Sequence, residues 1–245
     1  METILFIVEG AKAESKVIDN IKQFFLSDKI VIKILYGTSI YHLYKKISED
    51  EDFDIVEILR EMSSKNREIL KGIKRRYITS IFLFFDQDSH TTNASEKALG
   101  ELIKFFDNEM ERGQLYVSYP MVEALRDIDN LDEKYEESLC LWNIENNLKY
   151  KAHASNKIRD VSFLSVYEEY DDNIWEILNR YNWLKGNFLI NDLFDLPDYN
   201  KLIGFTQEVI YEKQCRRKEN IVVLSAFPFF IANYLKKEKI INMLR

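Results

Sequence analysis

The sequence predicts an α/β fold, in which a parallel sheet of about four strands is flanked by helices and followed by a helical C-terminal extension. Short apolar runs alternate with segments of helical periodicity over residues 1–125. The first and third runs, Thr3–Val8 and Ile78–Phe85, are apolar on both faces, which is typical of strands buried in a parallel sheet. With only 7 Gly and 3 Pro in 245 residues, tight turns are few, which disfavours a sandwich of many short strands.

Four segments are predicted as strands, each a short apolar run that ends at polar or turn-forming residues: Thr3–Val8, Ile30–Leu35, Ile78–Phe85 and Leu115–Ser118. Between them, apolar residues recur at helical spacing. After the third run this pattern predicts a helix over Ala94–Arg112, and after the fourth a helix that carries Glu123.

The alternation of strands and helices fades after residue 125. We therefore expect two domains, residues 1–125 and a mainly helical extension over 126–245 that packs on the sheet. Helices are predicted in the extension over three segments: Tyr135–Tyr150, Val161–Leu184 and Lys201–Tyr211.

The chain carries 34 basic and 41 acidic residues, a net charge of −7. Bulk attraction to nucleic acid is therefore excluded, and any such binding must come from local basic patches. Cys140 and Cys215 lie far apart, which disfavours a disulfide framework. Glu2 and the lack of a basic segment beside it argue against a signal peptide. We expect a cytoplasmic protein.

The longest apolar stretch, Ile221–Leu235, is interrupted by Pro228 and Asn233. It is too short for an ordinary membrane span. We expect it to form a buried C-terminal element, and we expect no membrane partner.

Acidic residues follow three of the predicted strands: Glu9 the first, Asp86 and Asp88 the third, and Glu123 the fourth. Because the carboxyl ends of parallel strands share one edge of a sheet, where ligands bind, these residues are expected to meet there. A cluster of carboxylates repels itself unless a cation lies among them. Mg²⁺ is the natural one, since it prefers oxygen ligands and keeps waters for substrate phosphates. The alternative for each acid alone is a helix N-cap or a solvated side chain.

Glu14 lies on the apolar stripe of the first predicted helix. Two interpretations are open. It is a further metal ligand, or it is an acid in the first helical turn, where the helix dipole favours negative charge.

Three segments that carry the acids resemble motifs of one family: FIVEGAKAE, FLFFDQD and SYPMVEAL. The order of strand, Glu-Gly, strand and Asp-x-Asp is similar to the toprim domain of topoisomerases, primases and stand-alone nucleases of the old-family and anti-phage kind. The resemblance covers about residues 1–125. It implies a toprim catalytic domain that binds Mg²⁺ or Mn²⁺ and hydrolyses phosphodiester bonds of DNA or RNA, in bacterial anti-phage defence.

The resemblance also implies a role for each acid. Asp86 and Asp88 would bind the metal. Glu9 would bind metal or act as a general acid or base, and Glu123 would complete a second metal position. A metal in such a site activates a water and stabilises charge on the attacking and leaving oxygens.

The chain departs from the family pattern at two positions. Such nucleases commonly have a second acid four residues after the first, where this chain has Ala13, with Glu14 one residue later. Tyr119 replaces the usual Asn before Pro120. Related nucleases also carry a basic residue beyond the core that contacts phosphate. The candidates for this residue are Lys149, Lys151 and Lys157. Of these, Lys157 is predicted as a catalytic residue.

Local basic residues are the predicted contacts to nucleic acid: Lys74, Arg75, Arg76, Lys151, Arg216 and Arg217. The alternative for each patch is a solvated charged face. Because the overall charge makes substrate capture weak, we expect a regulatory companion protein, such as an ATPase, or a homo-oligomer.

Two alternative functions are open. One is a non-catalytic toprim-like effector or scaffold that binds a partner protein, and the other is a phosphatase that acts on small substrates. The signatures of P-loop, dinucleotide-binding and nucleophile-elbow proteins do not occur in the sequence.

Overall fold

A mostly parallel sheet of five strands organises the first part of the chain. The computed structural model describes residues 2–10, 12–49, 54–87, 96–128, 141–157, 172–193, 195–198, 200 and 204–244. In chain order the strands of this sheet are β1 (Thr3–Val8), β2 (Ile30–Leu35), β3 (Ser80–Asp86), β4 (Asp107–Asn108) and β5 (Gly113–Ser118). Their order across the sheet is β2-β1-β3-β5-β4. The predicted α/β class is confirmed.

β1 is the central strand of the parallel part. It pairs in parallel with β2 on one side and with β3 on the other, and Val8 lies opposite both Leu35 and Phe84. All six residues of β1 are buried, as are all residues of β3 except Asp86. The burial predicted for the first and third runs is thus confirmed, whereas β2, at the edge of the sheet, has only Ile34 buried.

The chain folds as two compact units, one of residues 1–85 and 91–116 and the other of residues 86–90 and 117–245. The boundary at residue 125 stays a prediction. The helices of the first unit are α1 (Ala13–Phe25), α2 (Ile40–Glu49), α3 (Ile55–Met62), α4 (Ser64–Ile69) and α5 (Glu96–Phe105), with a 3₁₀ turn at Arg75–Tyr77.

The core of the first unit has an aromatic layer on one face of its sheet. The Phe6 ring lies 5.7 Å from those of Phe82 and Phe84, and Tyr116 stacks on Phe84 at 5.5 Å. These positions alternate along their strands, so their side chains share one face.

The predicted helix over Ala94–Arg112 is wrong beyond Phe105. There the chain turns into a hairpin, in which β4 pairs antiparallel with the start of β5. Gly113 has φ of +122°, and a Cβ at this position would lie 2.6 Å from the Leu83 side chain. Only glycine fits so close to β3 in this conformation. Because the apolar residues before Gly113 keep helical spacing, the sequence pattern does not predict this turn.

The second unit is mainly helical, as predicted for the C-terminal region. Its helices are α6 (Asn147–Lys157), α7 (Asp172–Asn191), α8 (Gln207–Arg217), α9 (Ala226–Tyr234) and α10 (Lys237–Leu244). The predicted helix Tyr135–Tyr150 is wrong over its first described residues, because β6 (Leu141–Asn143) pairs antiparallel with β7 (Asn220–Val222). The other predicted helices lie partly outside the described residues.

Buried amide side chains tie the helices of the second unit to its extended segments. Gln214 on α8 accepts from the N–H of Val222 at 2.9 Å and donates to its carbonyl at 2.7 Å. Asn182 on α7 bonds the N–H and the carbonyl of Ser225 in the same way. Each amide thus makes the two backbone hydrogen bonds that a neighbouring strand would otherwise supply.

The apolar stretch Ile221–Leu235 forms part of β7 and then helix α9. Ser225 caps this helix, since its side chain accepts from the N–H of Phe227. Six residues of α9 are buried, which agrees with the predicted buried C-terminal element. Among the described residues, no helix has the length and apolar character needed to cross a membrane.

Candidate functional site

The first unit contains the point at which the strand order of the sheet reverses. The chain passes from β1 to β2 on one side and then returns to β3 on the other side of β1. In open α/β sheets, ligands bind outside the carboxyl ends of the strands at such a point. Glu9 follows directly after β1 and is partly exposed, and its carbonyl accepts from the N–H of Gly37 at 3.2 Å.

Glu14 has a structural partner in this unit. Its buried carboxylate accepts a hydrogen bond from the N–H of Gly10 at 2.8 Å. A Cβ at Gly10 would lie 2.7 Å from a Glu14 carboxylate oxygen, so the contact depends on glycine. The carboxylate therefore holds the turn between β1 and α1 and lies in the first turn of its helix, where the dipole favours it.

Tyr36 follows β2 and is buried beside the end of β3. Its ring meets that of Phe85 edge to face at 5.4 Å, and the residue is 3% exposed. Among the described residues its hydroxyl has no hydrogen-bond partner. Burial raises the pKa of the Tyr36 hydroxyl well above its ordinary value.

Asp86 is the last residue of β3 and belongs to the second unit, where it is partly exposed. Directly after it, the N–H of Gln87 donates to the carbonyl of Ser118 at 3.0 Å. Asp88 lies outside the described residues. Among those described, no group of three or more His, Cys, Asp or Glu residues is placed to hold a metal ion. The carboxylate oxygens of Glu9 and Asp86 are nevertheless of the type that binds Mg²⁺ in proteins.

Glu123 lies in a 3₁₀ turn, Val122–Arg126, rather than in the predicted helix. It is buried, and its carboxylate pairs with Lys151 of α6, whose Nζ lies 3.3 Å from Oε1. The structure thus brings together two residues that the sequence predicts separately, one as a metal ligand and one as a nucleic-acid contact. A buried carboxylate needs such a compensating charge.

Further polar side chains surround this pair and were not predicted from the sequence. Arg126 donates to the hydroxyl of Ser155 at 2.6 Å. Asp127 is almost fully buried and accepts from the hydroxyl of Tyr150 at 2.7 Å. Nε2 of His153 lies 3.8 Å from the other carboxylate oxygen of Asp127.

Lys185 of α7 completes this group, because its Nζ donates to the backbone carbonyl of Asp127 at 2.9 Å. Lys185 is 1% exposed, and lysine is rarely so buried without a partner. One feature of the sequence is consistent with a buried Lys185: it directly follows the apolar Trp183-Leu184 in a helical segment. Its partner is 58 residues away, so no local pattern predicts the contact.

The predicted basic patches differ in how their members are used. Arg75 donates to the backbone carbonyls of Ile78, Met110 and Glu111 within the first unit. Arg217 lies over the Phe188 ring at 4.5 Å and pairs with Asp192 in the second unit. The remaining described members are exposed: Lys74, Arg76, Lys151 and Arg216. The side chain of Lys157 lies outside the description.

Comparisons of the chain with protein-family models, with curated proteins and with solved structures found no match.

Proposed function

We propose that the chain is a toprim-type, metal-dependent nuclease that hydrolyses phosphodiester bonds of DNA or RNA in bacterial anti-phage defence in the cytoplasm. The observation that supports this most is the position of two acids. Glu9 follows β1 and Asp86 ends β3, the neighbouring strands at which the order of the sheet reverses. Open α/β sheets bind ligands at this point.

In this proposal Asp86, Asp88 and Glu9 hold Mg²⁺ or Mn²⁺. The metal, when bound, supplies an activated water and stabilises negative charge on the phosphate oxygens. Glu9, at a partly exposed strand end, would take or donate the proton of the water or the leaving oxygen. Glu123 is the candidate for a second metal position. It has an ion-pair partner in Lys151, which a second metal would have to displace.

Cleavage of nucleic acid by wild type and Asp86→Ala tests the proposal. Single-stranded and duplex DNA and RNA are incubated with Mg²⁺ or Mn²⁺, with EDTA as the metal-free reference. We expect metal-dependent cleavage by the wild type and a loss of at least about 100-fold in Asp86→Ala.

Asp107→Ala is the matched control, because Asp107 is an exposed aspartate at a short edge strand of the sheet. It removes the same charge away from the proposed site and should cleave like the wild type. Equal cleavage by the wild type and Asp86→Ala would reject the proposed site.

A second candidate is a non-catalytic toprim-like scaffold that binds a partner protein. Two predicted metal ligands have partners within the chain, since Glu14 accepts from Gly10 and Glu123 pairs with Lys151. Acids that stabilise their own fold need no metal. An absence of cleavage by pure wild type with both metals on all four substrates would favour this function. A phosphomonoester assay separates the third alternative, a small-molecule phosphatase.

A further inference from the structure

We propose that the outer edge of β2 is a dimer interface, at which β2 of a second copy of this chain pairs antiparallel and joins the two sheets into one. The interface lies within the first unit and does not depend on the proposed function. The order β2-β1-β3-β5-β4 leaves β2 and β4 as the two edge strands among the described residues. A strand at an edge offers unpaired N–H and C=O groups to another strand.

The two edges of the sheet differ in how they are protected. β4 is a two-residue strand, Asp107–Asn108, and very short or charged edge strands resist pairing with other chains. β2 has six residues, of which five are apolar, in the sequence IVIKIL. Ile34 is the one buried residue of β2, and Ile30 is 44% exposed. The β2 edge therefore has the length and the apolar character that favour pairing with a further strand.

The backbone groups of β2 point alternately towards β1 and away from it. The N–H of Ile30 donates to the carbonyl of Glu2, just before β1, at 3.0 Å. The N–H of Tyr36 donates to the carbonyl of Val8, at the end of β1, at 2.8 Å. The even-numbered residues of β2 thus bond to β1, and the odd-numbered residues direct their N–H and C=O groups to the outer edge.

Most of the outward groups are free. The carbonyl of Leu35 is occupied, because it accepts from Nδ2 of Asn66 on α4 at 3.2 Å. The N–H and C=O groups of Val31 and Lys33 have no hydrogen-bond partner within the part of the chain that the structure describes. The open part of the edge is therefore centred on the residue between them.

These four free groups select the register of the dimer. When Val31 of one copy lies opposite Lys33 of the second copy, the two residues exchange both backbone hydrogen bonds. The two-fold symmetry repeats this exchange, so four hydrogen bonds form. On the other face of the sheet, Ile32 lies opposite Ile32 of the second copy, and the exposed Ile30 lies opposite Ile34 of the second copy.

The neighbouring registers fit less well. Pairing centred on Lys33 would place two lysines directly opposite each other, which is destabilising. It would also require the carbonyl of Leu35, which is already occupied. Pairing centred on Val31 would place Lys29 opposite Lys33 and would require the N–H of Lys29, which donates to the carbonyl of Leu26 at 2.9 Å.

Lys33 is the one charged residue of β2, and its charge is compensated within its own copy. An edge lysine ordinarily hinders pairing with another strand. Here its Nζ lies 2.5 Å from Oδ2 of Asp19 on α1. Lys33 can therefore lie beside the apolar Val31 of the second copy without an uncompensated charge.

Analytical ultracentrifugation of the full chain over a range of concentrations tests the dimer. We expect the wild type to dimerise and Val31→Pro to dimerise at least about 100-fold more weakly, because proline removes one outward donor from each copy and blocks the approach of a strand. The bonds to β1 remain, since the N–H of Val31 faces outward. Val31→Thr is the matched control. It keeps the N–H and a β-branched side chain, so it should dimerise like the wild type. Circular dichroism checks that both variants are folded.

A disulfide tests the register without weakening the interface. In Ile32→Cys the two cysteines would form a non-hydrogen-bonded pair with Cα atoms about 4.5 Å apart, which is within the range of a disulfide. We expect a covalent dimer on a non-reducing gel after mild oxidation. In Val31→Cys the two cysteines would lie diagonally, about 7–8 Å apart. This variant should crosslink no more than the wild type, which also carries Cys140 and Cys215.

Three results would overturn the interface. The first is a wild type that stays monomeric up to about 100 μM, in which case a strand of a different protein is the remaining occupant of the edge. The second is a folded Val31→Pro that dimerises like the wild type. The third is equal crosslinking of Ile32→Cys and Val31→Cys. These measurements involve neither metal nor nucleic acid, so their outcome is separate from that of the cleavage assay.

Discussion

At the scale of single residues, Tyr36 is a buried hydroxyl without a partner among the described residues. Removing such a group eliminates a desolvation cost without losing a hydrogen bond. We therefore expect Tyr36→Phe to leave the free energy of unfolding unchanged or to raise it by about 1 kcal/mol. Urea denaturation with a spectroscopic probe measures the change.

Tyr150→Phe is the matched control, since the same atom is deleted where it donates to Asp127. It should lower the free energy of unfolding by about 1–3 kcal/mol, because a buried acceptor loses its donor. An equal loss of stability in Tyr36→Phe and Tyr150→Phe would show that the Tyr36 hydroxyl makes a stabilising hydrogen bond, which contradicts the prediction. Burial raises the pKa of Tyr36, so the unfolded chain ionises first above a pH of about 10. The wild type should then lose stability with rising pH more steeply than Tyr36→Phe.

Glu14 illustrates how one carboxylate has a structural and a catalytic interpretation. Glu14→Gln keeps an oxygen that accepts from the N–H of Gly10 but removes the charge that a metal ligand needs. We expect Glu14→Gln to have the free energy of unfolding and the cleavage activity of the wild type. Glu14→Ala should lower the free energy of unfolding by about 1 kcal/mol. Urea denaturation and the cleavage assay measure the two properties. Loss of cleavage in a stable Glu14→Gln would place Glu14 among the metal ligands.

At the scale of elements, Arg75 joins the 3₁₀ turn before β3 to the turn between β4 and β5. It donates to three backbone carbonyls, one of Ile78 and two of the second turn. We expect Arg75→Ala to lower the free energy of unfolding by about 2 kcal/mol, since a charged donor to several carbonyls is lost. Chemical denaturation of the purified variant measures this.

Arg76→Ala serves as the control for this element. Arg76 is the adjacent arginine and is exposed, so its removal should change stability by less than about 0.5 kcal/mol. Similar losses in both variants would show that the backbone contacts of Arg75 contribute little. The comparison separates a residue that holds two turns together from one that is available to a phosphate.

The elements also show where a sequence pattern is sufficient. Thr3–Val8 and Ile30–Leu35 are strands with the predicted bounds, because a short, mainly apolar run indicates a strand without reference to distant residues. Only the first of them is buried throughout. After Phe105 the sequence pattern predicts helix, whereas the structure has a hairpin. Its cause is the close approach of Gly113 to Leu83, a contact between residues 30 positions apart that leaves no periodic mark.

At the scale of the whole molecule, the net charge of −7 sets how nucleic acid can be bound. General attraction is absent, so in the proposed function the affinity for nucleic acid would come from a few local cations and would fall as the salt concentration rises. Arg75 is used within the fold, whereas Lys151 is exposed. Lys151 is therefore a better candidate for a phosphate contact than Arg75.

The sequence by itself determined the α/β class, the central strands and the presence of acids after β1 and β3, because these follow from local apolar runs and their ends. Only the tertiary structure decided the strand order, the partners of Glu14 and Glu123, and the polar group around Asp127. Its contacts join residues 23 and 58 positions apart. Such pairs form when packing brings buried charges together, and the cost of leaving a buried charge alone selects the partner.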